Sequence, residues 1–365
     1  MKPVLFLTGH APAYRVGAFA RLHALEEVEF AFFGGAARHG GAPFEGELPF
    51  PHRHVSPREI ASLAAGGRYR AVVCPTGGRL APLAGWTGAR RARVPLIVWA
   101  SLWAHPRSLA HALTYLPLRR LYRSADAVVT YGPHVSAYVR ARGARNVYVA
   151  PQSVDNDFWG ARETQEPRAP GWHGQEGVRF LFAGRAAREK GLQTLLAAWR
   201  ATGLCPPTAS LVLAGPGSLP PPVPAGSGGQ MDGVSSLDPL PPLELRRLYA
   251  SAGALIVPSI ATRTFREPWG LVVNEAMCRS LPVIASDEVG AVAGGLVRDG
   301  HNGLVFPAGD SAALAGAISR LAGDDALRAA LGAQGARDVA AYTHEAWAEG
   351  FSRALFSLEI SRGRW

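Results

Sequence analysis

An α/β fold of two parallel-sheet domains is what this sequence predicts. Three observations carry it. Short apolar runs, such as Val4–Thr8 and Val178–Ala183, recur along the chain with the continuous hydrophobicity of strands buried on both faces. Longer stretches of helical periodicity separate them, and that βαβ alternation makes a parallel sheet. The alternation runs twice, on either side of a polar stretch rich in proline and glycine, and 365 residues suffice for two domains of ordinary size.

In the first half the predicted strands are Val4–Thr8, Val28–Phe33, Ala71–Cys74, Leu96–Ala100, Ala127–Thr130 and Val147–Ala150, with helices over Val16–Glu26, Arg107–Arg123 and Pro133–Arg142. Ala161–Gly177, containing ETQEPRAPGWHGQEG, reads as an interdomain linker. The second series opens with Val178–Ala183 and a helix over Leu192–Arg200. It continues through strands near Leu211–Ala214, Ala254–Val257, Val283–Ala285 and Gly303–Val305, and helices near Pro242–Ser251, Gly270–Ser280 and Ser311–Leu321. A last helical pattern, His344–Arg362, places Trp347, Phe351, Leu355 and Leu358 at three-to-four spacing. The domain division expected is 1–165 and 178–344.

Composition narrows the function. Cys74, Cys205 and Cys278 are odd in number and widely spaced, with neither a metal-site spacing nor a disulfide framework, which favours a reducing cytoplasm. The apolar run Val4–Leu7 is too short for a signal peptide, and the longest, Val94–Ala104, is far below the roughly 20 residues of a membrane span. The charge is lopsided: residues 1–170 carry 21 basic and 11 acidic side chains, the remainder 17 of each. A basic first half suits an anionic partner or peripheral contact with an anionic membrane, as at the inner membrane face. An arginine-rich solvated surface accounts for it equally well. The pattern Arg107–Arg123 is amphipathic, setting Leu109, Leu113, Tyr115 and Leu116 against Arg119, Arg120 and Arg123, with Pro117 expected to kink it. Such a helix could lie on anionic lipid, but its apolar face is expected to pack on the sheet and leave the arginines in water. No nucleic-acid partner is expected.

The stretch Phe265–Pro307 carries the chemistry. Glu267 lies in a proline-flanked loop and Glu275 about a turn inside the helix that follows. Were that path all helix, the eight-residue offset would span roughly 12 Å. A helix start also supplies free N–H groups and a positive dipole end, which suit a diphosphate. Upstream, Gly184-Arg185 follows a strand and Lys190-Gly191 precedes a helix, a cation pair suited to pyrophosphate. Only Lys2 and Lys190 are lysines in this arginine-rich chain.

These motifs resemble the donor site of the family 4 retaining glycosyltransferases, which have the GT-B fold. The resemblance rests on Glu-Pro-x-Gly-x-x-x-x-Glu at Glu267, Pro268, Gly270 and Glu275, on Pro282, Ala285 and Gly303–Pro307 after it, and on Gly184-Arg185 with Lys190-Gly191 before it. It implies two Rossmann-like domains facing a cleft, with the last helix (345–365) crossing back to the N-terminal domain. It implies transfer of a hexose, with retention, from a nucleotide-diphosphate sugar to a glycan, a lipid-linked or a small-molecule acceptor. Arg185 and Lys190 would hold and stabilise the leaving diphosphate, Glu267 the hydroxyls of the donor sugar and Glu275 the ribose. Trp269, Gly270 and Leu271 complete the donor segment, and Gly17 closes the first-strand loop, Gly9–Gly17, that approaches it. His105, in the loop after Leu96–Ala100, would meet the donor sugar. No cofactor is expected, and no metal: Asp155-Asn156-Asp157 falls in the family's Val154-Asp155…Phe158-Trp159 segment instead. Gly215–Asp238 departs from the family, since proline and glycine replace its usual helix, and leaves the nucleotide base open. Two other readings remain, a GT-B nucleotide-sugar epimerase and a non-catalytic protein of membrane surfaces.

Overall fold

The computed structural model describes residues 2–34, 44, 46–78, 80–162, 177–215 and 232–362. Most of the linker reading (163–176) and of the divergent loop (216–231) lies outside them. The chain forms two compact units, Met1–Asp155 with Tyr342–Trp365, and Asn156–Ala341.

The first unit is a seven-stranded parallel sheet. In chain order it runs β1 (Val4–Thr8), α1 (Ala13–Glu26), β2 (Val28–Phe32), β3 (His52–His54), α2 (Ile60–Ala65), β4 (Ala71–Pro75), α3 (Ala81–Ala92), β5 (Leu96–Ala100), α4 (Leu109–Ser124), β6 (Ala127–Thr130), α5 (Pro133–Arg140) and β7 (Val147–Val149). The strand order is β3-β2-β1-β4-β5-β6-β7, with Val4 opposite both Val28 and Ala71. Strand alternation divides the core between the two faces. Val4 and Phe6 point into a cluster with Phe19, Phe30, Trp347 and Phe351, whereas Leu5 and Leu7 join Val72, Tyr122 and Val135 on the other side.

The second unit holds α6 (Asn156–Gly160), β8 (Val178–Ala183), a 3₁₀ turn (Arg188–Lys190), α7 (Leu192–Thr202), β9 (Ala209–Ala214), β10 (Val234–Leu237), α8 (Pro242–Ser251), β11 (Ala254–Val257), α9 (Val272–Cys278), β12 (Val283–Ser286), α10 (Gly290–Ala293), β13 (Gly303–Phe306), α11 (Ser311–Gly323) and α12 (Asp325–Val339). Its parallel strands are ordered β10-β9-β8-β11-β12-β13. Asp310 and Asp324 cap α11 and α12, each accepting from the N–H three residues on.

The last helix, α13 (His344–Arg362), belongs to the first unit and completes its core: Trp347, Phe351, Ala354, Leu355 and Leu358 are buried there. The α/β, two-sheet class and the returning helix expected from the sequence are therefore present. Two details differ. The loop read as Gly9–Gly17 is already helical from Ala13, so Gly17 sits inside α1; a Cβ there would collide with the His344 imidazole. In α4, Leu113 and Leu116 do not pack on the sheet but stand 81% and 68% exposed; Leu121 and Tyr122 supply the buried contact. Pro117 lies inside this helix. Among the described residues no helix is long and apolar enough to cross a membrane.

Candidate active site

In an open α/β sheet, ligands gather beyond the carboxyl ends of the strands where the strand order reverses. In the second unit that point lies between β8 and β11, which pair at Phe180 with Ala254 and at Leu181 with Leu255. The loops leaving these two strands carry the residues in question.

After β8 the chain passes Gly184 and Arg185, makes the 3₁₀ turn and reaches Gly191 with φ of 68°. A Cβ on Gly191 would overlap the carbonyl oxygen of Pro258, so only glycine lets this turn lie against the loop after β11. The Ile260 amide donates to the Glu189 carbonyl at 2.9 Å and seals the contact. The loop after β11 is held from its other side. Arg266 forms a bidentate pair with Glu288, the Ala291 amide donates to the Trp269 carbonyl at 2.8 Å, and Gly290, lacking a Cβ, admits the Pro268 carbonyl.

These clamps bring together two residues 77 apart: Lys190 Nζ donates to Glu267 Oε2 at 2.5 Å. Glu267 is 7% exposed, and the Lys190 side chain is partly accessible. Arg185 lies on the same turn, 57% exposed and 3.5 Å from Glu189. Gly270 follows with φ of 92°, and Leu271 stands at the head of α9. Only Val272–Cys278 is helical, so the all-helix span between the two glutamates does not apply.

Glu275, in the first turn of α9, accepts from the Tyr249 hydroxyl at 2.8 Å. Burial lifts its carboxyl to about 7, against the opposing pull of that hydrogen bond. Burial and the neighbouring Glu275 charge push the Tyr249 phenol well above its usual value, so it remains the donor. Trp159 of α6 backs the phenol edge-on, with ring centres 5.7 Å apart. Tyr249 was not anticipated; in sequence it looks like one more apolar position of α8.

Two predicted residues are used differently. The Trp269 side chain is 3% exposed and donates its Nε1–H to Asn274 Oδ1 at 2.8 Å, with its ring over Gly294; it packs the loop and leaves only its backbone for a ligand. In the first unit, Gly17 makes room for His344, as described. His105 Nε2 donates to the His111 carbonyl at 2.7 Å, its ring edge-on to Tyr115. That bond leaves Nδ1 a bare acceptor, buried and without a hydrogen-bond partner. Among the described residues no group of three or more His, Cys, Asp or Glu is placed to hold a metal ion.

A paired lysine and glutamate stand at the switch point, on loops leaving adjacent parallel strands of a Rossmann-like sheet. Residues 177–324 match the model of the family described as Glycosyl transferases group 1. That stretch, less than half of the chain, is similar to the group 1 glycosyltransferases. Over 145 residues it is 36% identical to a D-inositol 3-phosphate glycosyltransferase of Nocardia farcinica, and over 167 residues 34% identical to a phosphatidyl-myo-inositol mannosyltransferase of Mycobacterium leprae. These matches span 37% and 46% of this chain and only 29% and 43% of the relatives. The fold is that of solved GT-B proteins. Anabaena HepE, in complex with UDP and glucose, superposes with a TM-score of 0.74 over 98% of this chain and all of its own, at 16% identity. A sucrose-phosphate synthase of Thermosynechococcus elongatus does so with a TM-score of 0.70 over 99% of this chain and all of its own, at 20% identity.

Proposed function

We propose that this protein transfers a hexosyl group from a nucleoside-diphosphate sugar to a hydroxyl of a glycan, lipid-linked or small-molecule acceptor, with retention and without a metal ion. The observation that carries the reading is the Lys190–Glu267 pair at the β8–β11 switch point. Each charge of that pair neutralises the other. An incoming diphosphate draws the Lys190 ammonium, with Arg185 beside it, and frees the Glu267 carboxylate to accept hydrogen bonds from the sugar hydroxyls. Exchange of one partner for another spares the buried carboxylate an unpaired state. Backbone at Gly270 and Leu271 faces the same diphosphate, and Glu275, braced by Tyr249, takes the ribose hydroxyls.

In the transfer, the bond from the anomeric carbon to the diphosphate oxygen breaks on the face where the acceptor oxygen bonds. The acceptor proton passes to the departing phosphate oxygen. The cations at 185 and 190 carry the growing negative charge, so their effect is larger in the transition state than in the bound donor. The relatives' names and the neighbour solved with UDP and glucose support a nucleotide-sugar donor.

The test is a thermal-shift panel of uridine, guanosine and adenosine diphosphate sugars, followed by product analysis with the stabilising donor. A ligand at 100 times its Kd raises stability by about 2.7 kcal/mol. Retention is read from the anomeric coupling of the product, and turnover is expected to survive chelator. No stabilisation by any member of the panel would overturn the reading. An epimerised nucleotide-sugar formed without acceptor would replace it with the epimerase.

A further inference from the structure

One cation of the first unit stands where physical chemistry disfavours a cation. Arg15 is 2% exposed and lies in the first turn of α1, whose start carries no acidic residue and no side-chain cap. Burial disfavours its charge, and so does the positive end of a helix dipole. Among the described residues no carboxylate pairs with it; Nη2 donates to the side-chain oxygen of Gln152 at 2.5 Å, a neutral partner. Tyr131 and His344, which feel its charge, do not neutralise it. Burial lifts the Tyr131 phenol to about 12, so it stays protonated. Burial first, and then Arg15 itself, lower His344, so its imidazole stays neutral.

The hydrogen-bond donors beside it lack acceptors. Arg15 Nη1, Trp99 Nε1 and Trp347 Nε1 are all buried, and none has a hydrogen-bond partner. The guanidinium carbon lies 5.5 Å from the Trp99 ring and 5.4 Å from the Trp347 ring, and the two indoles are 5.8 Å apart. Three neighbouring donors without an acceptor, one of them charged, make a costly arrangement. It collects beyond the carboxyl ends of the strands: Arg15 follows β1, Trp99 is the last residue but one of β5, Tyr131 follows β6 and Gln152 follows β7. That is the edge at which open α/β sheets hold ligands. Tyr14, Trp99 and Tyr131 are only partly buried, so part of the cluster is accessible.

We propose that Arg15, Trp99 and Trp347 form an anion site that takes one small oxyanion, a phosphate or a carboxylate group. An oxyanion supplies both missing things: a countercharge for the guanidinium, and several lone pairs for N–H groups arriving from different elements. A water molecule would satisfy hydrogen bonds and leave the charge unneutralised. Cation–π contact with the indoles holds the guanidinium in place but uses the ring faces, not the N–H edges. The oxyanion arrives free or as the anionic group of a larger molecule, and the chemistry of capture is the same. The proposal does not depend on the donor reading, whose cations belong to the second unit.

The experiment is calorimetry of the full chain carrying Arg185→Ala and Lys190→Ala, so that the cations of the second unit take no part. Chloride is replaced, at constant ionic strength, by inorganic phosphate, acetate or glycerol phosphate. Phosphate or acetate is expected to raise the melting temperature of the first unit by at least about 2 °C, and to do so saturably. A rise with glycerol phosphate as well shows that the group of a larger molecule enters. A rise with the free ions alone shows a site for the ion itself, and both results bear the proposal out. Arg15→Met should abolish the shift. Trp99→Phe, which keeps a ring and deletes one N–H, should weaken anion affinity about tenfold, and it decides the matter should the first variant not fold. No shift beyond that of chloride, an undiminished shift in Arg15→Met, or unaltered affinity in Trp99→Phe overturns the proposal.

Discussion

At Lys190 and Glu267 the resting structure already fixes what each substitution should do. Lys190→Ala removes the proposed diphosphate ligand and leaves a 7%-exposed carboxylate without its cation. Transfer is expected to fall by two to four orders of magnitude, about 3–5 kcal/mol of transition-state stabilisation. Glu267→Ala should lose a similar amount in kcat while the fold persists. Wild-type turnover in a purified double variant would remove both residues from the site. Glu275 gives a pH signature. Its carboxyl, raised by burial to about 7 from an ordinary 4.5, binds protons more readily folded than unfolded. Stability should therefore fall as pH rises from about 4.5 to 7, and Glu275→Gln should flatten that fall in denaturant midpoints. Tyr249→Phe deletes the hydrogen bond that favours the ionised form and should move the window upward. The placing of Arg185, Lys190, Glu267 and Glu275 on the loops and helix that follow β8 and β11 was legible, because their spacing relative to strand ends is part of the motif. Tyr249 was not, because a tyrosine on an amphipathic helix carries no mark of the carboxylate it will meet across the fold. Trp269 was misjudged for a related reason: adjacency to Glu267 in sequence says nothing of which way a ring turns.

The elements owe their places to close approaches that glycine alone permits. Gly191 combines a φ of 68° with a carbonyl of Pro258 where a side chain would be. Gly191→Ala should cost at least about 2 kcal/mol and lower the melting temperature by roughly 4–8 °C in a unit of this size. The same substitution should depress donor affinity, since Lys190 rides on that turn. A variant that melts with the parent would show that the turn can shift without loss. Glycine also explains an element the sequence hid. Helix α3 reads APLAGWTGARRA and gives no clean periodicity, yet a Cβ at Gly88 would collide with Ala64 of α2, and one at Gly85 would press on Leu7. There glycine is a packing residue, not a breaker. The other strands were legible as apolar runs. The short edge strands β3 and β10 were not, because half-exposed residues such as His52–His54 lack the run of hydrophobics that marks a buried strand.

On the scale of the whole molecule, the first unit is built from both ends of the chain. Trp347 is fully buried among Phe6, Phe19, Trp99 and Phe351, with ring centres 4.6–6.4 Å apart. Arg15 joins this group, 2% exposed, its guanidinium within 5.5 Å of both indole rings and bonded to Gln152. Trp347→Ala should destabilise that unit by about 3–5 kcal/mol. Donor-induced stabilisation of the second unit should remain, which a two-transition calorimetric scan resolves. An unchanged first transition would deny α13 its place in that core.

That α13 lies in the first unit also dictates an order of assembly during synthesis. A ribosome delivers strands β1 to β7 long before the helix that covers one face of their sheet, so Phe6, Phe19 and Phe30 wait, uncovered, while some 190 further residues emerge. The second unit, contiguous in sequence, can close first. Nascent chains arrested after residue 341 should therefore yield a protease-resistant fragment beginning near residue 156, with the earlier residues cut.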